Sequence, residues 1–260
     1  MDETTQLMRL TGHSLASMMA AMPGGEAIIA PQGALGLSGE PVVDLNILVV
    51  SGGEGTLAFV ERALARVAER GLPSMAMIAP GADAGLHASL AAAGLTLAGA
   101  VPLMVLREPA QSGQTRACEV RQVQDPKLAR ETGDVLAAAF GLPRDSVARG
   151  WEPLCAPDAP CQTWIASEEG EARSTVSVSP SGATAGIFSM ATPAMHQGRG
   201  WGRTLLRRVI DHYRAAGVRR FYLQATEAGF PLYRSLGFVT VAELAAHVSG
   251  SSTQVGGHVA

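Results

Sequence analysis

The run Thr192–Leu206, TPAMHQGRGWGRTLL, constrains the fold most: a strand gives way to a glycine-rich loop, and the loop passes directly into a helix. Glycines at 198, 200 and 202 let the main chain approach a ligand without interference from a Cβ. The helix is read as Arg203–Ala216, with Leu205, Leu206, Val209, Ile210 and Tyr213 on its apolar stripe and Gly217 as its stop. Its first amides have no carbonyl one turn earlier, and the helix dipole adds positive potential at the same end. Arg199 and Arg203 bring further charge to a point where it costs up to ~1 kcal/mol unless a polyanion is present. Arg207 shares the face of Arg203 one turn on. Together these residues form an anion cradle suited to a diphosphate, the bland alternative being a solvated arginine face beside a turn.

The charge distribution supports the cradle. The chain of 260 residues carries a net charge of −3, which argues against a generic nucleic-acid binder. Yet 8 arginines cluster between Arg199 and Arg234, whereas the only lysine is Lys127. With 47% hydrophobic and 17% charged residues, the chain can bury a real core. Cys118, Cys155 and Cys161 fit neither a disulfide framework nor a metal site. The acidic N-terminus does not resemble a signal peptide, and the longest apolar run, Leu95–Leu106, holds Gly99 and Pro102 and is too short to span a membrane. The expectation is a cytoplasmic protein with no membrane or nucleic-acid partner and no metal.

Around the cradle the pattern is α/β. Asp125–Pro126 caps a helix with Leu128, Val135, Leu136 and Ala139 inward, and Gly141 ends it. Asp145–Trp151 reads as a second short helix. Gln162–Ser167, Arg173–Ser179 and Thr184–Thr192 read as an antiparallel meander, and Glu168, Glu169 and Glu171 as a solvated turn. Phe221–Thr226 is a strand, Ala228–Leu236 a helix and Phe238–Val241 a strand. A P-loop would need a lysine after its glycines. A dinucleotide fingerprint would need G-x-G-x-x-G with an acid some 20 residues on. The sequence offers G-x-G-x-G and no acid in Phe221–Thr226.

Gln197-Gly198-Arg199-Gly200-Trp201-Gly202 resembles the pyrophosphate motif Q/R-x-x-G-x-G/A of the GCN5-related N-acetyltransferases, and Leu232–Phe238 (LYRSLGF) resembles the family's L-Y-x-x-x-G-F ending. The resemblance covers about residues 116–245. It implies that Thr184–Thr192 and Phe221–Thr226 splay apart around acetyl-CoA. The main chain of Met190, Ala191 and Thr192 then pairs with the pantetheine arm, and an amide near Met190 polarises the thioester carbonyl. Residues Gln197–Arg203 hold the pyrophosphate. The resemblance makes Tyr233 the general acid, its phenol (ordinary pKa near 10) serving a thiolate whose acid has a pKa of about 8.5. Thr226 stands where the family often has an asparagine. No acid occurs in Gly186–Thr192, so the general base is unassigned, and His196 is a loop histidine near the cradle.

Residues 40–106 repeat the order of elements: strand Asp44–Val50, helix 56–70, strand Met75–Ala79, helix Ala84–Ala93, and one or two strands in Leu95–Leu106. AGLHASLAAAGL (84–95) lines up with AGFPLYRSLGF (228–238), but the glycine turn SGGEG carries Glu54 and no arginine. The reading is a tandem α/β protein with mixed sheets. A degenerate domain of the same kind, with its linker Glu108–Ala117, spans 1–115; a catalytic domain spans 116–248; and a flexible tail spans 249–260. The expected function is acetyl transfer from acetyl-CoA to a primary amine, with a homodimer compatible but not required. The alternatives are a non-catalytic acyl-CoA-binding module and a plain scaffold.

Overall fold

A computed structural model describes residues 1–81, 84–107, 116–156 and 158–250. Most of the linker segment and the tail from 251 lie outside the described residues. The elements in chain order are α1 (Glu3–Ala20), β1 (Glu26–Ala30), β2 (Gly33–Leu37), β3 (Asn46–Val50), α2 (Thr56–Arg70), β4 (Met75–Ile78), α3 (Ala84–Ala92), β5 (Leu95–Leu106), β6 (Glu119–Gln122), α4 (Pro126–Phe140), α5 (Arg144–Trp151), β7 (Gln162–Glu168), β8 (Glu171–Ser181), β9 (Thr184–Ala191), α6 (Trp201–Ala215), β10 (Arg220–Gln224), α7 (Phe230–Ser235) and β11 (Phe238–Ser249). Contacts divide the chain into two units: Met1–Leu103 with residues 240–250, and Met104–Val239.

In the first unit β1, β2 and β3 pair antiparallel, and β3 pairs with β4 in parallel. A parallel neighbour requires a crossover, which α2 supplies. Helix α2 starts and stops at Gly55 and Gly71, both left-handed, and buries Phe59, Val60, Ala63, Leu64 and Val67 against Leu35, Leu48 and Ile78. On the other side of the sheet α1, capped by the Asp2 side chain on Thr5 N, packs on β2. It comes so close that a Cβ on Gly36 would lie 2.6 Å from Ala16 Cα. The composition is poor in aromatics, and this approach is how small residues achieve a packed interior.

The last strand differs from its sequence expectation. It runs for 12 residues rather than stopping at Val241, and its far end belongs to the first unit. There Ala245, Ala246, His247 and Val248 pair antiparallel with Ile78, Met77, Ala76 and Met75. Ser74 and Ser249 close the register: Ser249 N donates to Ser74 O at 2.9 Å, and Ser74 N to Ser249 Oγ at 2.7 Å. No glycine or proline interrupts Phe238–Ser249, so nothing local ends the strand.

The second unit carries the predicted meander, β6-β7-β8-β9 antiparallel, followed by β10 parallel to β9. Helix α4 has its Asp125 cap, accepting from Lys127 N and Leu128 N, and its Gly141 stop. Strand β5 lies beside β10, and its Met104 and Leu106 join a core with Ile187, Leu205, Leu206, Val209, Phe221 and Leu223.

Candidate active site

Strands β9 and β10 pair only at Thr184, Ala185 and Gly186 with Arg220, Phe221 and Tyr222. Beyond Gly186 the two strands have no shared ladder. In the first unit the corresponding pair, β3 and β4, stays together through Val50 and Ile78, and Ala79 N still donates to Val50 O at 3.0 Å. The gap is therefore a property of the second unit alone.

One edge of that gap is shaped by a bulge. Ser177 faces Phe188 and Thr175 faces Ala191, so Ser189 and Met190 together oppose Val176. Ser189 has φ +50, a left-handed value that costs a non-glycine residue of order 1 kcal/mol or more. A bulge leaves a main-chain group without a ladder partner and re-aims the strand. It falls at Ser189–Met190, near which the family resemblance places the amide expected to polarise the carbonyl.

Past the strand end the chain is clamped by side chains. Buried Ser174 Oγ on β8 donates to Ala191 O at 2.8 Å and lies 2.9 Å from Thr192 Oγ1. Because the single Ser174 proton is used, Thr192 is the donor in that pair. Gln197 Nε2 donates to Thr192 O at 2.9 Å, so this side chain fixes the loop. Gly198 and Gly200 have φ +71 and +81, and a Cβ at either would meet nothing within 4 Å. Their glycine character answers to backbone conformation, and the space beside them is open. Helix α6 begins at Trp201, two residues earlier than expected, with Gly200 as its cap. Gly202 differs from the other two glycines: a Cβ there would sit 2.9 Å from Met190 Cε and 3.4 Å from Thr192 Oγ1, so the first turn rests directly on the end of β9.

The side chains of Met190 and Trp201 are core residues, 8% and 2% exposed. What they offer a ligand is main chain. Arg199 is exposed, and Arg203 donates to Ser235 Oγ at 2.8 Å, tying α6 to α7. Thr226 accepts from Gly229 N at 3.0 Å and so caps the turn into α7. Tyr233 is 1% exposed and meets Phe238 edge-on at 6.0 Å. A Cβ on Gly229 would lie 2.8 Å from its ring. Burial pushes the Tyr233 phenol well above its ordinary value. Met190, Trp201 and Tyr233 share one core cluster.

His196 lies 3.2 Å from an Arg173 nitrogen through Nε2, and its Nδ1 is buried without a partner. Burial, then Arg173 and Arg199, lowers its pKa, so it is neutral at pH 7 with Nε2 as acceptor. In the turn expected to be solvated, Glu169 and Glu171 are exposed and Glu168 is half-buried; Glu168 and Glu171 pair with Arg116 and Arg173 at 2.7 Å each. Sequence reasoning missed Ser174, Arg173 and Gly229. Ser174 sits in an ordinary alternating strand and gives no signal; Gly229 could have been found from its place four residues before the tyrosine. Among the described residues no cluster of three or more His, Cys, Asp or Glu side chains could hold a metal, and no helix is long and apolar enough to cross a membrane.

Residues 131–238 match the model of the acetyltransferase (GNAT) family. A GCN5-related N-acetyltransferase from Kribbella flavida superposes with a TM-score of 0.68 at 16% identity, covering 97% of each chain. One from Sphaerobacter thermophilus gives 0.57 at 16% identity and 91% of each chain. A tandem GNAT protein from the clavulanic acid biosynthesis pathway, solved without AcCoA, gives 0.55 at 18% identity, covering 84% of this chain and 79% of its own. A search of curated proteins returned no match. The neighbours that cover more than nine-tenths of the chain show a GNAT fold, and the tandem neighbour is consistent with a two-domain arrangement. The acetyltransferase (GNAT) family model thus falls on the unit that holds the splayed strands and the glycine cradle, and the neighbours share its fold.

Proposed function

We propose that the chain is an acetyl-CoA-dependent N-acetyltransferase acting on a primary amine. The observation that carries this reading is the gap between β9 and β10, which leads from a strand bulge to an open glycine cradle. The residues fit the cosubstrate. Open space flanks Gly198 and Gly200, arginines cluster at the helix start, and a strand edge is left without a ladder partner.

Acetyl-CoA supplies an acetyl group activated as a thioester. Gly198–Arg203 would bind its diphosphate through main-chain N–H groups and the Arg199 and Arg203 guanidinium groups. Met190–Thr192 would pair with the amide-bearing arm, and the bulge amide would orient and polarise the carbonyl. Tyr233 stays protonated across the physiological range, so it is a hydrogen-bond donor to the departing sulfur. Full proton transfer to a thiolate of pKa about 8.5 is uphill from a phenol raised above about 10. The proton that ends on the thiol is then one lost by the amine as it is acylated, and Tyr233 holds the sulfur by a hydrogen bond without giving up its own. No Asp or Glu on β9 relays that proton, since Gly186–Thr192 holds neither.

The test is release of free thiol from acetyl-CoA by purified protein against a panel of amines. Thiol release dependent on an amine supports the transferase. The absent acid on β9 favours a second reading, a non-catalytic acyl-CoA-binding module. Tight acetyl-CoA binding with no turnover across the panel would select it.

A further inference from the structure

The first turn of α6 is weakly determined by its own sequence. Its cap, Gly200, has no side chain to bond the helix amides, and Gly202 follows two residues later. Glycine at both places leaves the turn conformationally loose. Something outside the helix has to aim its amides.

The segment entering the second unit does this at three points. Arg116 N donates to Thr204 Oγ1 at 2.8 Å, and Thr204 is fully buried. The central carbon of the Arg116 guanidinium lies over the Trp201 ring, 4.2 Å from its centroid. Two residues on, Cys118 O accepts from Arg208 at 2.9 Å. Glu168 on β7 holds the guanidinium from its other side at 2.7 Å. Arg116 Nε is buried with no partner. An unsatisfied buried donor is unfavourable, so the Trp201 contact and the charge-assisted Glu168 hydrogen bond set this rotamer at the expense of Nε.

We propose that Arg116 is a positioning residue for the cradle: stacked on Trp201 and anchored by Glu168, it holds the first turn of α6 so that its amides point at the diphosphate. This rests on the acetyl-CoA reading above. Arg116 touches no reacting atom in this role.

The experiment compares wild type, Arg116→Ala and Arg116→Lys by calorimetry with acetyl-CoA and by hydrogen exchange at residues 201–204 without ligand. Lysine keeps the charge and loses the plane. The expected result is that both variants bind about tenfold more weakly, the size of one lost stacked cation contact, and exchange faster at the first turn. Wild-type affinity and exchange in Arg116→Ala would overturn the proposal. So would full recovery in Arg116→Lys, which would reduce Arg116 to a source of charge. If wild type itself fails to bind acetyl-CoA, the cofactor reading falls and this role falls with it. Binding by wild type with an unaffected Arg116→Ala sinks the positioning role alone.

Discussion

At the residue scale, the three cradle glycines do different work. Gly198 and Gly200 are left-handed with open space beside them, whereas Gly202 is a contact surface for Met190. Gly200→Glu combines backbone strain with a carboxylate aimed into the anion site. Calorimetry should show loss of acetyl-CoA binding in that variant, and unchanged affinity would move the site elsewhere. Gly202→Ala comes closer than 3 Å only to the flexible Met190 tip and touches Thr192 and Leu232 at ordinary distance, so it should leave measurable affinity. Tyr233→Phe keeps the edge contact with Phe238 and removes one donor from a buried position. Its kcat should fall by about 10²-fold or more while the KM for acetyl-CoA changes little. Equal turnover with a good amine would take Tyr233 out of the mechanism. The motif residues were legible as motif, and the resemblance already implied a main-chain role for Met190–Thr192. What the sequence did not show is that the Trp201 side chain is buried, so that only its backbone is available.

At the element scale, the comparison of β3/β4 with β9/β10 decides what each half can hold. Identical element order produces a closed parallel pair in one unit and a gap in the other. The closed pair offers an extended arm no unpaired strand edge between β3 and β4, and the glycine turn of the first unit carries Glu54 in place of arginine. Acetyl-CoA should therefore titrate to one equivalent per chain; two equivalents of equal affinity would contradict the asymmetry. The ends of most elements were readable because their signals are local. Asp125 with Pro126 starts α4, and Gly71 and Gly141 stop α2 and α4 in left-handed conformations. The bulge at Ser189–Met190 carries no such signal, because it is enforced by the register that β8 imposes on β9. The same holds for the Ser174 clamp, whose partners lie 17 and 18 residues away in sequence.

At the scale of the molecule, two histidines, the buried His247 and the half-buried His196, couple stability to pH. His247 on β11 and His196 beside the cradle are both lowered from their ordinary value of 6.5, His247 by burial and then by His87 at 3.2 Å. The unfolded chain binds these protons first, so their stabilisation is complete above about pH 6.5 and is lost as pH falls toward the folded values. The unfolding midpoint should drop between pH 7.5 and 5.5, and His247→Gln should flatten that slope. Glu26, held low by Arg66 and Arg70, contributes stability that is complete above its ordinary 4.5 and is lost only below it, outside this window. A flat profile in the wild type would remove both histidines from the account. Acetyl-CoA affinity should also weaken steeply with added salt, since exposed arginines supply much of the attraction.

Helix periods, caps, glycine stops and the chemistry of the cradle are nearest-neighbour properties, and the chain specifies them in a few residues at a time. The partner of the last strand, the opening between β9 and β10, the Ser174 clamp and the seat of Trp201 under Arg116 join residues far apart in sequence. They depend on which surfaces meet once the chain has folded back on itself. Periodicity holds no record of that choice, and packing alone makes it.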